Sequence, residues 1–231
     1  MARLDDAHGA DPAQPLTLER IVTEARALLE TGGYSALTMR ALAARLNSRP
    51  MSLYHYVRNK SELLTLALSD AAAEIDWVLP SGTPVERMVA VGVEVHENLS
   101  RLPWVVPILS RGTNIGLSAL ASTEHFFAAA ADAGLDDAAM LALWRGVWYL
   151  ISADLQMQAA AAERSRDERA WYETTDSECV QGLTQVSRLL PHWRELSAGY
   201  SLQTSIRALV TGTVLQHRAA GAPASSAAAQ E

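Results

Sequence analysis

The stretch LTMRALAARLNSRPMSLYHYVRNKSELL, residues 37–64, decides the fold. Its first part reads as a short helix over about 38–46. Thr38 can cap it, and Met39, Leu42, Ala43 and Leu46 form its apolar stripe at helical spacing. Asn47 follows as a turn residue that tolerates the left-handed region. A second short helix opens at Pro50, where the missing N–H would be unpaired anyway, and ends near Tyr56–Val57. Asn59, with Glu62 three residues on, has the pattern of a capping box and starts a longer helix that reaches about Leu79. Two short helices joined by a three-residue turn have the length of a helix-turn-helix unit. Neither would be stable alone. The helix expected over about 17–31 packs across both, with Ile21, Ala25, Leu28 and Leu29 on one face. Thr17 caps it and Gly32-Gly33 stop it.

Outside this stretch the pattern stays helical. Further helices are predicted over about 84–101, 103–111, 114–133, 136–163, 176–190 and 200–218. Asp136 and Asp137 suit a helix N-terminus, where carboxylates complement the dipole. No β-alternation and no repeat of solenoid period is present, so an all-α protein is expected. Residues 1–15 and the low-complexity AAGAPASSAAAQE at 219–231 read as a disordered arm and tail. The expected organisation is a three-helix unit over 16–60 followed by a larger helical domain over 61–218.

Charge separates these two parts. Residues 1–60 carry a net charge of +2 and residues 61–231 a net charge of −9. Within 31–60 stand Arg40, Arg45, Arg49, Arg58 and Lys60, and no acid. A basic face for a polyanion on an acidic body fits this asymmetry. The single cysteine, Cys179, excludes an intrachain disulfide and points to a cytosolic compartment. The N-terminus lacks the apolar core of a signal peptide, and no run approaches the ~20 apolar residues of a membrane span.

The sequence resembles the TetR family of transcriptional regulators. The resemblance lies in Ile21 and Ala25, Gly33, LTMRALAARL (37–46) and LYHYVRNKSELL (53–64), about fifty residues in the family's order and spacing. It implies a DNA-binding domain followed by a ligand-binding and dimerisation domain. It also implies roles. Thr38 and Tyr54 match phosphate contacts, Arg40 a position that reaches a guanine edge, and Lys60 the phosphate-anchoring lysine of an Asn-Lys pair. His55 and Tyr56 fall where the family carries aromatic and histidine donors to phosphate. Leu53 and Val57 match core positions. In a helix-turn-helix the N-terminal residues of the second helix meet base edges, here Arg49, Pro50, Met51 and Ser52. One departure stands out. The family's turn is commonly Gly-Val and here it is Asn47-Ser48, with Ser48 in place of an apolar group and able to cap the next helix.

The acidic part has the stock of a small-molecule pocket: aromatic walls with a few placed polar groups. His96, Trp104, Asn114, His125, Trp144 and Trp148 are the candidate effector residues. Aromatics at helical spacing also serve simply as core. The resemblance implies a homodimer built on helices 136–163 and 200–218. Leu202, Ile206, Leu209, Val210 and Leu215 make an approximate stripe that is either the dimer seam or intrachain core. It further implies repression of a palindromic operator, relieved by an effector. The competing reading is an effector-free DNA-binding regulator that acts through protein partners, and an enclosed pocket near the aromatic cluster would discriminate the two. Catalysis finds little support. HENLS at 96–100 lacks the second histidine of a zinc-protease helix, and GLSAL at 116–120 fails the nucleophile-elbow pattern at its last position. No cofactor and no metal site are expected.

Overall fold

The computed structural model describes residues 15–165 and 167–221. Twelve α-helices and three short 3-10 turns, with no strand, make up the regular structure of these residues. The terminal arm and tail lie outside them, except that Pro15 is described and residues 219–221 continue the last helix.

Helix α1 (Leu18–Ala36) begins where expected. The Thr17 hydroxyl accepts a hydrogen bond from the Arg20 N–H at 3.2 Å. It buries Ile21, Val22, Ala25 and Leu29. Gly33, at φ 65° and ψ −165°, breaks the helical backbone, and one more turn leads to Leu37. Helix α2 (Met39–Arg45) is capped by Thr38, whose Oγ1 accepts from the Ala41 N–H at 3.0 Å. Asn47 then takes φ 48° and is the one non-glycine residue with positive φ among the described residues. Helix α3 (Pro50–Leu53) is shorter than predicted. The chain leaves the helix at Tyr54 and closes with turn bonds from the Tyr56 and Val57 N–H groups to the Leu53 carbonyl. Leu53 and Val57 are both fully buried. Ser48 does not cap α3. Arg49 holds that position without a side-chain bond, and the buried Ser48 Oγ has no hydrogen-bond partner among the described residues.

Helix α4 (Lys60–Ala73) is capped by Asn59, which accepts from the Glu62 N–H at 2.9 Å. Glu62 reaches back to the Arg58 N–H, one residue short of a reciprocal box. The helix ends at Ala73 rather than near Leu79. Trp77 folds back and its indole N–H donates to the Ala72 carbonyl, while the Val78 N–H is taken by Glu94. Helix α5 (Pro84–Ser100) opens with a full capping box between Thr83 and Glu86. The Thr83 backbone N–H and then its hydroxyl bond the Glu86 carboxylate and hold its pKa below the usual carboxylate value.

Helices α6 (Val105–Leu109), α7 (Leu120–Asp132), α8 (Asp137–Glu163) and α12 (Leu202–Gly221) complete the body. Asp136 caps α8 by accepting from the Ala139 N–H. α5 packs against α7, α8 and α12. A Cβ built on Gly92 of α5 would lie 3.1 Å from Ile206 Cδ1 and 3.2 Å from Val147 Cγ1, so glycine permits this crossing. Between α8 and α12 lie α9 (Trp171–Thr174), α10 (Thr184–Leu189) and α11 (Trp193–Ala198). The single helix predicted over 176–190 is broken: a 3-10 turn, Gly182, α10 and a second 3-10 turn at Pro191 take its place.

One continuous apolar core runs through the molecule. Leu63, Leu64, Ala67, Leu68 and Ala71 of α4 belong to it together with Leu29 and Leu42 on one side and Met88, Val147 and Ile206 on the other. Burial of this kind, at roughly 25 cal/mol per Å² of apolar surface, is the main stabilising term.

Candidate nucleic-acid interface and ligand cavity

α2, α3 and the turns beside them present Thr38, Arg40, Arg49, Pro50, Met51, Tyr54, His55 and Tyr56 to the surface, with Ser52 of α3 and Lys60 of α4 half-buried. Met51 is 71% exposed, which is unusual for so apolar a side chain. The cations here fall into two groups. Arg45 is committed to Glu24 and ties α2 to α1. Arg26 binds both Asp70 and Glu74, and ties α1 to α4. The guanidinium groups of Arg40, Arg49 and Arg58, by contrast, form no ion pair or hydrogen bond among the described residues.

Two of the candidate phosphate ligands already have protein partners. The Tyr56 hydroxyl donates to the Leu16 carbonyl at 2.7 Å and pins the end of the α3 turn to the start of α1. Lys60 Nζ donates to the Tyr34 carbonyl at 3.0 Å and sits 3.8 Å from the centre of the Tyr34 ring. An ammonium has three donors, so this bond leaves Lys60 two.

A cavity of about 260 Å³ opens beneath α4. Its walls come from Leu68, Ala71 and Ala72 of α4, Ile75 and Trp77 just beyond it, Val95 and Leu99 of α5, and Trp144 and Trp148 of α8. Leu102, Val105 and Leu109 line it from α6 and its approach, and Ser122 and Thr123 from α7. The segment Asn114, Ile115, Gly116 and Ala119 forms the remaining side. Of the six residues singled out from sequence, Asn114, Trp144 and Trp148 line this cavity. His96, Trp104 and His125 do not. His96 Nε2 bonds Asp154 at 2.8 Å and joins α5 to α8. Trp104 is a core residue, and among the described residues neither its indole N–H nor the buried His125 Nδ1 has a hydrogen-bond partner. The aliphatic lining went unseen because residues facing a cavity and residues facing core share the same helical spacing. Trp77 had one usable signal: an aromatic just before Pro80, where the helix had to end.

The cavity is physically tied to α4. Asn114 Nδ2 donates to the Ser61 carbonyl (2.8 Å), Ser61 Oγ (2.9 Å) and Thr65 Oγ1 (3.1 Å). The Leu117 N–H donates to Ser69 Oγ. Gly116 lies so close that a Cβ there would stand 2.7 Å from the Leu68 carbonyl oxygen. Three residues before Asn114, the Arg111 guanidinium lies 4.5 Å from the centre of the same Tyr34 ring that Lys60 covers. One segment therefore touches the cavity, the length of α4 and the turn that precedes α2.

Among the described residues no group of three or more His, Cys, Asp or Glu side chains could hold a metal ion, and no helix is long and apolar enough to cross a membrane.

Fold and site together define an all-helical protein with a cationic helix-turn-helix at one end and an apolar cavity in its body. Residues 21–67 match the family described as bacterial regulatory proteins, tetR family. The match spans the helix-turn-helix end of the chain. It is 34% identical over 155 residues to an HTH-type transcriptional regulator of Saccharopolyspora erythraea, a stretch covering 66% of this chain and 64% of the relative. It is 32% identical over 128 residues to the HTH-type transcriptional repressor DrrR1 of Streptomyces coeruleorubidus, covering 54% and 47%. The chain thus spans less than two thirds of the length of either relative. Among solved structures it is similar in fold to the TetR family protein ActR of Streptomyces coelicolor in complex with (S)-DNPA. The TM-score is 0.64 at 22% identity, over 88% of this chain and all of that one.

Proposed function

We propose that this chain is a sequence-specific DNA-binding regulator that represses from a palindromic operator as a homodimer and lets go when a small molecule fills the cavity. The observation that carries this reading is the set of uncommitted side chains on α2 and α3. Among the described residues the guanidinium groups of Arg40, of Arg49 at the start of α3 and of Arg58 just before α4 have no ion pair or hydrogen bond, whereas those of Arg26 and Arg45 do. Arg40 reads a guanine edge, and exposed Met51 is suited to a thymine methyl. Thr38, Tyr54, His55 and the two remaining donors of Lys60 face phosphates, which position the protein without specifying sequence.

A single helix-turn-helix reads only a few base pairs, and two related by a two-fold axis read a palindrome. The dimer face is not the stripe Ile206–Val210, which is intrachain core. It is the outer side of α8 and α12, where Leu141, Tyr149, Met157 and Leu215 are each about 60% exposed or more. Exposed apolar patches of this kind mark interaction surfaces. A cytoplasmic location follows from this role.

The cavity favours an effector over the effector-free alternative. A ligand acts only through its differential affinity for two states. Here the means is the Arg111–Leu117 segment, which bonds both to α4 and to the cavity. Sedimentation velocity tests the reading: two chains per short duplex are expected, and a monomer at micromolar concentration contradicts it.

A further inference from the structure

The cavity's chemistry narrows what it can hold. No charged residue lines it. Its polar side chains are largely satisfied from within. Asn114 spends its amide donors on Ser61 and Thr65, Trp77 spends its N–H on Ala72, and Ser122 donates to Ala119. The indole N–H groups of Trp144 and Trp148 and the Thr123 hydroxyl donate no hydrogen bond among the described residues. The two indole N–H groups are donors only and call for an acceptor, while the Ser122 and Thr123 hydroxyls can also accept. A charge placed against this lining would be desolvated with nothing to pair it, which costs far more than burying a neutral group.

Size adds a second limit. An apolar cavity of about 150 Å³ takes up benzene. At about 260 Å³ this one accommodates two to three fused rings. Three indoles, from Trp77, Trp144 and Trp148, supply flat aromatic surface that stacks on such a ligand.

We infer that the ligand is an uncharged, flat molecule of two to three fused rings that carries carbonyl-type acceptors and no ionised group. This rests on the reading of the cavity as the effector site, and deepens it. The test is calorimetric titration of the full chain with a matched pair, 2-acetylnaphthalene and 2-naphthoate, which share ring and shape and differ in charge. The ketone should bind, and the carboxylate should bind at least ~100-fold more weakly. Ala119→Leu, which fills the cavity, should weaken the ketone, and Leu109→Trp should do so if the first variant fails to fold. Equal or tighter binding of the carboxylate overturns the inference, as does ketone binding unaffected by both filling variants, or no ketone binding at all. A separate mobility-shift assay with the ketone keeps the two readings apart. Charge-selective binding with no loss of DNA affinity leaves the ligand class standing and removes the release mechanism.

Discussion

The guanidinium of Arg111 and the ring of Tyr34 stand 4.5 Å apart, and this pair joins the cavity segment to the turn that leads into α2. A cation over a partly exposed aromatic ring such as Tyr34 is worth on the order of 1 kcal/mol. That is too little to hold the fold but enough to bias two states. Arg111→Ala should change DNA affinity without ligand by less than about fivefold. It should shrink the loss of affinity that the ketone causes. Fluorescence anisotropy with a bound genomic fragment, with and without 2-acetylnaphthalene, measures both. An undiminished ligand effect would assign the transmission to α4 and Asn114 alone.

Base and phosphate contacts predict different losses for Arg40 and Lys60. Arg40→Ala should cost about 1–3 kcal/mol on the preferred site and relax specificity at one base pair. Lys60→Ala should weaken binding to every sequence alike and lower the salt slope by about 1. It should also lower the melting temperature, because it releases the Tyr34 carbonyl. A melting change with an intact salt slope would make Lys60 a purely structural residue.

The turn Asn47-Ser48 departs from the family pattern, and the structure separates its two halves. Asn47 holds φ 48°, a conformation glycine adopts freely and β-branched residues resist. Asn47→Val should destabilise by roughly 1–2 kcal/mol, and Asn47→Gly should be tolerated. Ser48 buries a hydroxyl with no partner among the described residues. Ser48→Val should stabilise by about 1 kcal/mol, since an unsatisfied buried polar group is lost. Urea unfolding reads both. Destabilisation by Ser48→Val would show that the hydroxyl is bonded in solution.

The clasp between α1 and α4 has a pH signature. The Arg26 guanidinium, first by hydrogen bonding and then by its charge, holds the Glu74 carboxyl below its ordinary value. A carboxylate depressed in the folded state stabilises above its unfolded pKa, and that stabilisation is lost as pH falls through the folded one. Arg26→Gln should therefore lower the melting temperature at pH 7, with the difference from wild type closing as pH falls below the ordinary carboxylate value. The effect is modest because Glu74 is largely solvated. A difference that persists unchanged at pH 3 would assign the loss to packing of the arginine stem.

What could be read in advance was what is local. Thr17, Thr38 and Asn59 each cap the helix the sequence assigns to them, because a cap needs only a side chain and an N–H two or three residues on. The end of α4 was not legible. It depends on Trp77 turning back to Ala72 and on Glu94, sixteen residues further along, taking the Val78 N–H. The partners of Lys60 and Tyr56 were hidden for the same reason, as Tyr34 and Leu16 lie 26 and 40 residues away. The apolar stripe of α12 was ambiguous between seam and core. The close contacts of Gly92 and Gly146 with Ile206 and Leu209 show that its inner side is core.

The most direct measurement of the central claim is selection of genomic DNA fragments by the purified full chain, followed by sequencing of the bound pool. The account predicts enrichment of one two-fold symmetric sequence, with half-sites centred about one helical turn, ~34 Å, apart or a multiple of it. A bound pool indistinguishable from the input DNA, at salt low enough for phosphate contacts to hold, would contradict it.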